Sequence, residues 1–145
     1  MSGSAGEGKA PAGWKLWLPV ALWMLLIFSL SSLPIGHERP HLFRFQDKLA
    51  HLVEFGVLGL LTARALRLSG ARSRRVYWLG ILLGVFYGAL DELHQYFIPN
   101  RTVELADLAA DGLGVFLAAW LYLASRGRSL FRQGSEPEKE ELSVR

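Results

Sequence analysis

Three short runs in this 145-residue chain carry most of its reactive side chains. Asp47, His51 and Glu54 stand at i, i+4 and i+7, with Lys48 beside them, so the three fall on one helix face. Asp91 and Gln95 are four residues apart, flanked by Glu92 and His94. Asp107 and Asp111 repeat that step, with Glu104 just ahead. Carboxylates gathered in this way repel one another. They must be protonated, paired with a base or bound to a cation. Lys48, Arg101, Arg39 and Arg44 can supply pairs. Histidine among several carboxylates is also an oxygen-rich donor set suited to a divalent cation such as Mg²⁺ or Mn²⁺, with Asp91, Asp107 and Asp111 as the expected ligands. A cation of that kind, together with Lys48, Gln95 and Arg101, can hold a phosphate or pyrophosphate. His51, Glu54, Asp91 and Glu92 are the candidates for catalytic roles, and His51 or His94 can move a proton. Against each of these stands a plainer role: an ion-paired network that holds helices together.

The elements that position these groups are apolar. The chain is 51% hydrophobic and 20% charged, with a mean hydropathy of +0.23. This excludes disordered, collagen-like and coiled-coil chains. Cysteine is absent, so disulfides, thiolate nucleophiles and cysteine–zinc sites are excluded. Leu16–Leu33 is uncharged and about 27 Å long as a helix, close to the thickness of a bilayer core. It lacks an A-x-A pattern, so a retained span is expected rather than a cleaved signal peptide. Leu49–Leu66, Val76–Phe97 and Leu105–Ala124 are apolar over most of their length but carry the polar runs at one end. Hydropathy alone leaves a soluble helical bundle open for these three.

Charge placement favours the membrane. With the N-terminus inside, twelve of the sixteen basic residues fall on the inner side, led by Arg64, Arg67, Arg72, Arg74, Arg75, Arg126, Arg128 and Arg132. That distribution explains the net charge of +3 without nucleic acid. Trp14, Trp17, Tyr77, Trp78, Trp120 and Tyr122 then form an aromatic belt at the inner interface. Gly80, Gly84 and Gly88 make a smooth strip at four-residue intervals, expected to seat another helix of the same chain, with homodimerisation as the alternative. The reading is all-α: four transmembrane helices in two antiparallel hairpins, N- and C-termini cytoplasmic. The domain spans 14–125. Residues 1–13 form a disordered tail, and 126–145 a basic juxtamembrane stretch and a second disordered tail.

Depth then gathers the acids. Glu54, Asp91 and Asp111 each lie about 10 Å below the outer interface, at about 1.5 Å per residue. A charge at the centre of a span costs about 2.5–3.5 kcal/mol on insertion scales, so these groups cannot face lipid. An outward-open polar pocket is expected, lined by Asp47, His94, Asp107 and Asp111 as well. His37 and His41 are expected in an exposed outer loop. Pro99–Thr102 is expected to turn the chain, with Thr102 or Asn100 capping the last helix and Glu104 in its first turn.

Asp47-Lys48-x-x-His51-x-x-Glu54-Phe55, Asp91-Glu92-x-x-Gln95-x-Phe97-Ile98-Pro99-x-Arg101 and Asp107-x-x-x-Asp111-x-x-Gly114 together resemble the VanZ-like family, over roughly residues 15–125. The family usually has Asn where this chain has Asp111. The resemblance implies a small multi-pass protein of the cell membrane and a setting in the cell envelope, since the family takes its name from a protein implicated in resistance to the glycopeptide teicoplanin. It implies no established reaction. Three functions follow as expectations: a pocket that binds or modifies a surface or lipid-linked cell-wall component, a small proton- or cation-coupled transporter, or a non-catalytic membrane assembly factor.

Overall fold

The computed structural model describes residues 13–34, 45–99 and 101–133, with backbone alone for 127–133. Its regular structure, among the described residues, is four helices: α1 (Gly13–Ser31), α2 (Gln46–Leu68), α3 (Ser73–Gln95) and α4 (Leu105–Gln133). Each expected apolar stretch became one helix. The polar runs lie on the helices, apart from Glu104, which stands just ahead of α4. α2 begins three residues ahead of the expected Leu49, which brings Asp47 into its first turn beside the free amides. It ends in a Schellman motif: Gly70 adopts φ 87° while Gly70 N donates to Arg67 O and Ala71 N to Leu66 O. That tight stop leaves only residues 69–72 to turn the chain into α3.

The start of α4 differs from expectation. The helix opens at Leu105, and its first carbonyl acceptor is Glu104, which takes Asp107 N at 2.9 Å. Thr102 makes no capping bond among the described residues. The reason lies on α3: a Glu92 carboxylate oxygen accepts Glu104 N at 3.1 Å and pins the helix start there. Asn100, Arg39, Arg44, His37, His41 and residues 1–12 and 134–145 of the expected ends lie outside the described residues, whereas Gly13 opens α1 and 126–133 continue α4.

Polarity is inverted in this bundle. Asp111 is fully buried, and His51, Asp91, Glu92, Gln95 and Asp107 are buried with it. Leu22, Leu82, Phe86 and Trp120 are more than half exposed. A water-soluble bundle needs the opposite arrangement, because a broad apolar exterior drives association in water. In lipid this exterior is matched and the polar side chains are sheltered. All four helices, of 19 to 23 residues within their candidate spans, are long and apolar enough to cross a membrane.

Glycines bring the helices together. α2 and α4 are the closest pair and run in the same direction, since Lys48 meets Glu104, His51 meets Asp111 and Gly56 meets Gly114. A Cβ on Gly114 would lie 2.9 Å from Gly56 N and closer still to Leu52 O. α3 runs against α4: Glu92 meets Glu104, Gly88 meets Asp111 and Gly84 meets Val115. Val115 is fully buried, wedged between Gly84 and Gly59. Two of the three glycines in the α3 strip therefore seat a helix of the same chain; a Cβ on Gly80 would meet nothing within 4 Å. α1 is the most weakly held helix, packing Leu16, Val20 and Ile27 into the core beside Phe55 and Leu58.

Candidate functional site

Two polar groups occupy one end of the bundle. The first lies between α2, α3 and α4. Lys48 extends from α2 toward α4, where its ammonium meets Asp47 at 2.6 Å, Glu104 at 2.7 Å and Asp107 at 3.0 Å. One turn along α2, His51 Nδ1 lies 3.0 Å from Asp111 Oδ1. This pairing follows from the shared direction of the two helices, which sets the Asp47/His51 step beside the Asp107/Asp111 step. Glu92 enters from α3. Of these groups, His51, Glu92 and Asp107 each present a donor atom within 4.8 Å of the others, as do Asp47, Glu104 and Asp107.

The second group joins α3 to α1. Ser31 Oγ donates to Asp91 Oδ2 at 2.7 Å. Gln95 Nε2 donates to both Ser31 Oγ, at 2.8 Å, and Asp91 Oδ2, at 3.0 Å. His94 Nε2 lies 2.9 Å from Ser32 Oγ, and its ring stacks on Phe28 at 4.4 Å. Arg101 Nη2 donates to Leu30 O at 3.2 Å and Nε to Leu33 O at 3.3 Å. Leu30 O belongs to the last turn of α1 and Leu33 O lies two residues beyond it, so the guanidinium sits at the helix C-terminus and complements its dipole.

The expected site residues are thus divided. His51, Lys48, Glu92, Asp107 and Asp111 come together. Asp91, Gln95 and His94 turn instead to α1, and Asp107 shares its ligand group with His51 and Glu92 rather than with Asp91 and Asp111. Arg101 is engaged by carbonyl oxygens. Glu54 is half-buried and within electrostatic range of His51, Asp91 and Asp111, but its carboxylate makes no hydrogen bond among the described residues. Its backbone carbonyl accepts Trp23 Nε1 at 2.9 Å.

Several contributors were missed from the residues alone. Ser31 and Ser32 complete the α1 side, and the Ser-Leu-Ser-Ser run before Pro34 was their signal. Tyr87 OH donates to Met24 O at 2.6 Å, a bond to a carbonyl already inside a helix, which no sequence spacing announces.

The electrostatic balance is incomplete. Asp91 Oδ1, Glu92 Oε1, Asp107 Oδ1 and Asp111 Oδ2 are buried without a hydrogen-bond partner. Asp107 Oδ1 does have the Lys48 ammonium at 3.0 Å, an ion pair without hydrogen-bond alignment. Uncompensated buried carboxylate oxygens cost several kcal/mol unless something neutralises them. The arrangement can therefore attract a cation, hold a proton or take a ligand that brings its own donors.

Removing the cap on α1 has a modest expected cost. Arg101→Met leaves Leu33 O to water and Leu30 O with Leu33 N alone, and the lost hydrogen bonds are exposed, so a loss of about 1 kcal/mol is expected. Chemical denaturation in detergent checks this; a loss above about 3 kcal/mol would mean that the guanidinium does more than cap.

The family model described as VanZ/LLP1 matches residues 16–126, more than half of the chain and all four helices in whole or part. No curated protein and no solved structure matches.

Proposed function

Because the chain belongs to the VanZ/LLP1 family, we propose that it works as a VanZ-type membrane protein whose polar centre binds the anionic head group of a cell-surface or lipid-linked cell-wall component. In this reading the helices cross the cell membrane as two antiparallel hairpins, both termini are cytoplasmic, and the centre opens outward. The domain covers 14–125, between two polar tails. Lys48 is the head-group contact; the carboxylates of Asp107 and Glu92, which by themselves repel an anion, take hydrogen-bond donors from the ligand or, with His51, a cation beside it. The observation that carries the reading is the buried acidic group between α2, α3 and α4, where Glu92 Oε1 and Asp111 Oδ2 have no hydrogen-bond partner and Asp107 Oδ1 has only the Lys48 ammonium. Charged groups at such depth are costly and mark functional sites more often than structural ones. Val115, wedged between Gly59 and Gly84, closes the bundle beneath the centre, which supports a pocket with one mouth over a through-path for ions.

The test uses purified protein in lipid nanodiscs, exposed to a polyprenyl phosphate with and without divalent metal. Wild type retains the lipid selectively, and Lys48→Met loses at least about tenfold in affinity, as expected for removal of one charge-assisted contact. Equal retention by wild type and Lys48→Met, or none by wild type, removes the reading. In cells, Asp107→Ala lowers glycopeptide tolerance while the protein stays in the membrane; unchanged tolerance would discard that part of it.

A further inference from the structure

Two triads overlap at Asp107, and the chain fills only one of them. Asp47, Glu104 and Asp107 surround the Lys48 ammonium, which therefore occupies a cation position of the chain's own making. His51, Glu92 and Asp107 form the second triad. All three are buried and their donor atoms lie within 4.8 Å of one another; the Lys48 ammonium pairs with Asp107 alone among them, at 3.0 Å. Two further observations point to a ligand there. Glu92 is only 6% exposed, yet Glu92 Oε1 has no hydrogen-bond partner, and Asp107, 5% exposed, has at Oδ1 only the Lys48 ammonium, 3.0 Å away. Glu92 spends its other oxygen on Glu104 N, which fixes the carboxylate in place. His51 is oriented in turn, because Asp111 Oδ1 engages Nδ1 and leaves Nε2 as the donor nitrogen. A carboxylate on one ring nitrogen is the usual support for a metal on the other.

We propose that His51, Glu92 and Asp107 bind one divalent transition-metal cation, with Asp111 positioning the histidine. One imidazole and two carboxylates favour Mn²⁺ or Zn²⁺ over Ca²⁺, which takes oxygen donors throughout. Three protein ligands leave coordination positions for a head-group oxygen or water, as in sites that act on a ligand. The cation would neutralise the buried Glu92 carboxylate, with which Lys48 does not pair. This deepens the function proposed above and rests on it, so metal and lipid are measured separately.

The full chain, stripped with a chelator and held in nanodiscs, is titrated with Mn²⁺ and followed by electron paramagnetic resonance. One tightly bound Mn²⁺ per chain is expected, with a nitrogen coupling from His51 in the pulsed spectrum. Glu92→Gln keeps an acceptor for Glu104 N and should bind Mn²⁺ at least about tenfold more weakly. Should that variant fail to fold, Asp107→Asn is read in its place, and the wild-type spectrum decides in any case. Absence of tight Mn²⁺ binding, absence of the nitrogen coupling, or wild-type affinity in Glu92→Gln overturns the site. Lipid retained by protein that binds no metal overturns the cation and spares the head-group reading. Metal bound without lipid retention does the reverse.

Discussion

Gly114→Ala should destabilise the protein by about 3 kcal/mol or more, the upper part of the range for overpacking. The added methyl meets Leu52 O and Gly56 N, and both are backbone atoms that no rotamer change can move. α2 and α4 must then separate along their closest contact. The separation also pulls His51 from Asp111 and Lys48 from Asp107, because those pairs span the same two helices. Gly80→Ala is the matched control. Nothing stands within 4 Å of its Cβ, and alanine is the better helix former by about 1 kcal/mol, so neutrality or a slight gain is expected. Denaturation of both variants in the same detergent checks this, and equal losses would mean that the helices are not seated on Gly114.

His51→Leu should cost about 3–5 kcal/mol, the usual result of stranding one member of a buried pair. Asp111 is fully buried, one of its oxygens is already without a partner, and the imidazole serves the other. Asp111→Asn behaves differently: the amide oxygen still accepts from Nδ1, so the loss should stay near 1 kcal/mol. Combining the two substitutions should recover much of the His51→Leu loss, since no buried charge is then left alone. A double-mutant cycle on unfolding free energies measures the recovery. Additive losses would show that histidine and aspartate do not act as a pair.

Both expectations depend on facts of different legibility. The four helices were readable because apolar runs of this length have few other uses, and the glycine strip on α3 was readable because small residues at four-residue intervals make a groove on any helix. Gly84 and Gly88 fill that role, facing Val115 and Asp111. Gly56, Gly59 and Gly114 carry no such repeat, yet they set the tighter contact. Their value exists only once α2 and α4 lie side by side.

The candidate site follows the same pattern. That Asp47, His51, Asp107 and Asp111 share faces was fixed by the helical period. Depth placed the acids at one end of the bundle, but depth does not tell which neighbour a helix face meets. Asp91 and Glu92 are adjacent in sequence and about 100° apart around α3, by a period of 3.6 residues per turn. One reaches Ser31 on α1 and the other Glu104 ahead of α4. A metal set of Asp91, Asp107 and Asp111 was a reasonable grouping by level, and rotation about α3 replaced it with His51, Glu92 and Asp107. Arg101 likewise had the charge for a phosphate, and its position beside the end of α1 gave it carbonyl oxygens instead.

The amino-acid order by itself determined that this chain makes four apolar helices with acidic, basic and imidazole groups near one end, because length, hydropathy and helical period are local properties. Only the packed bundle decided which of those groups touch, because the azimuth of each helix and its choice of neighbour depend on where small residues let two backbones meet.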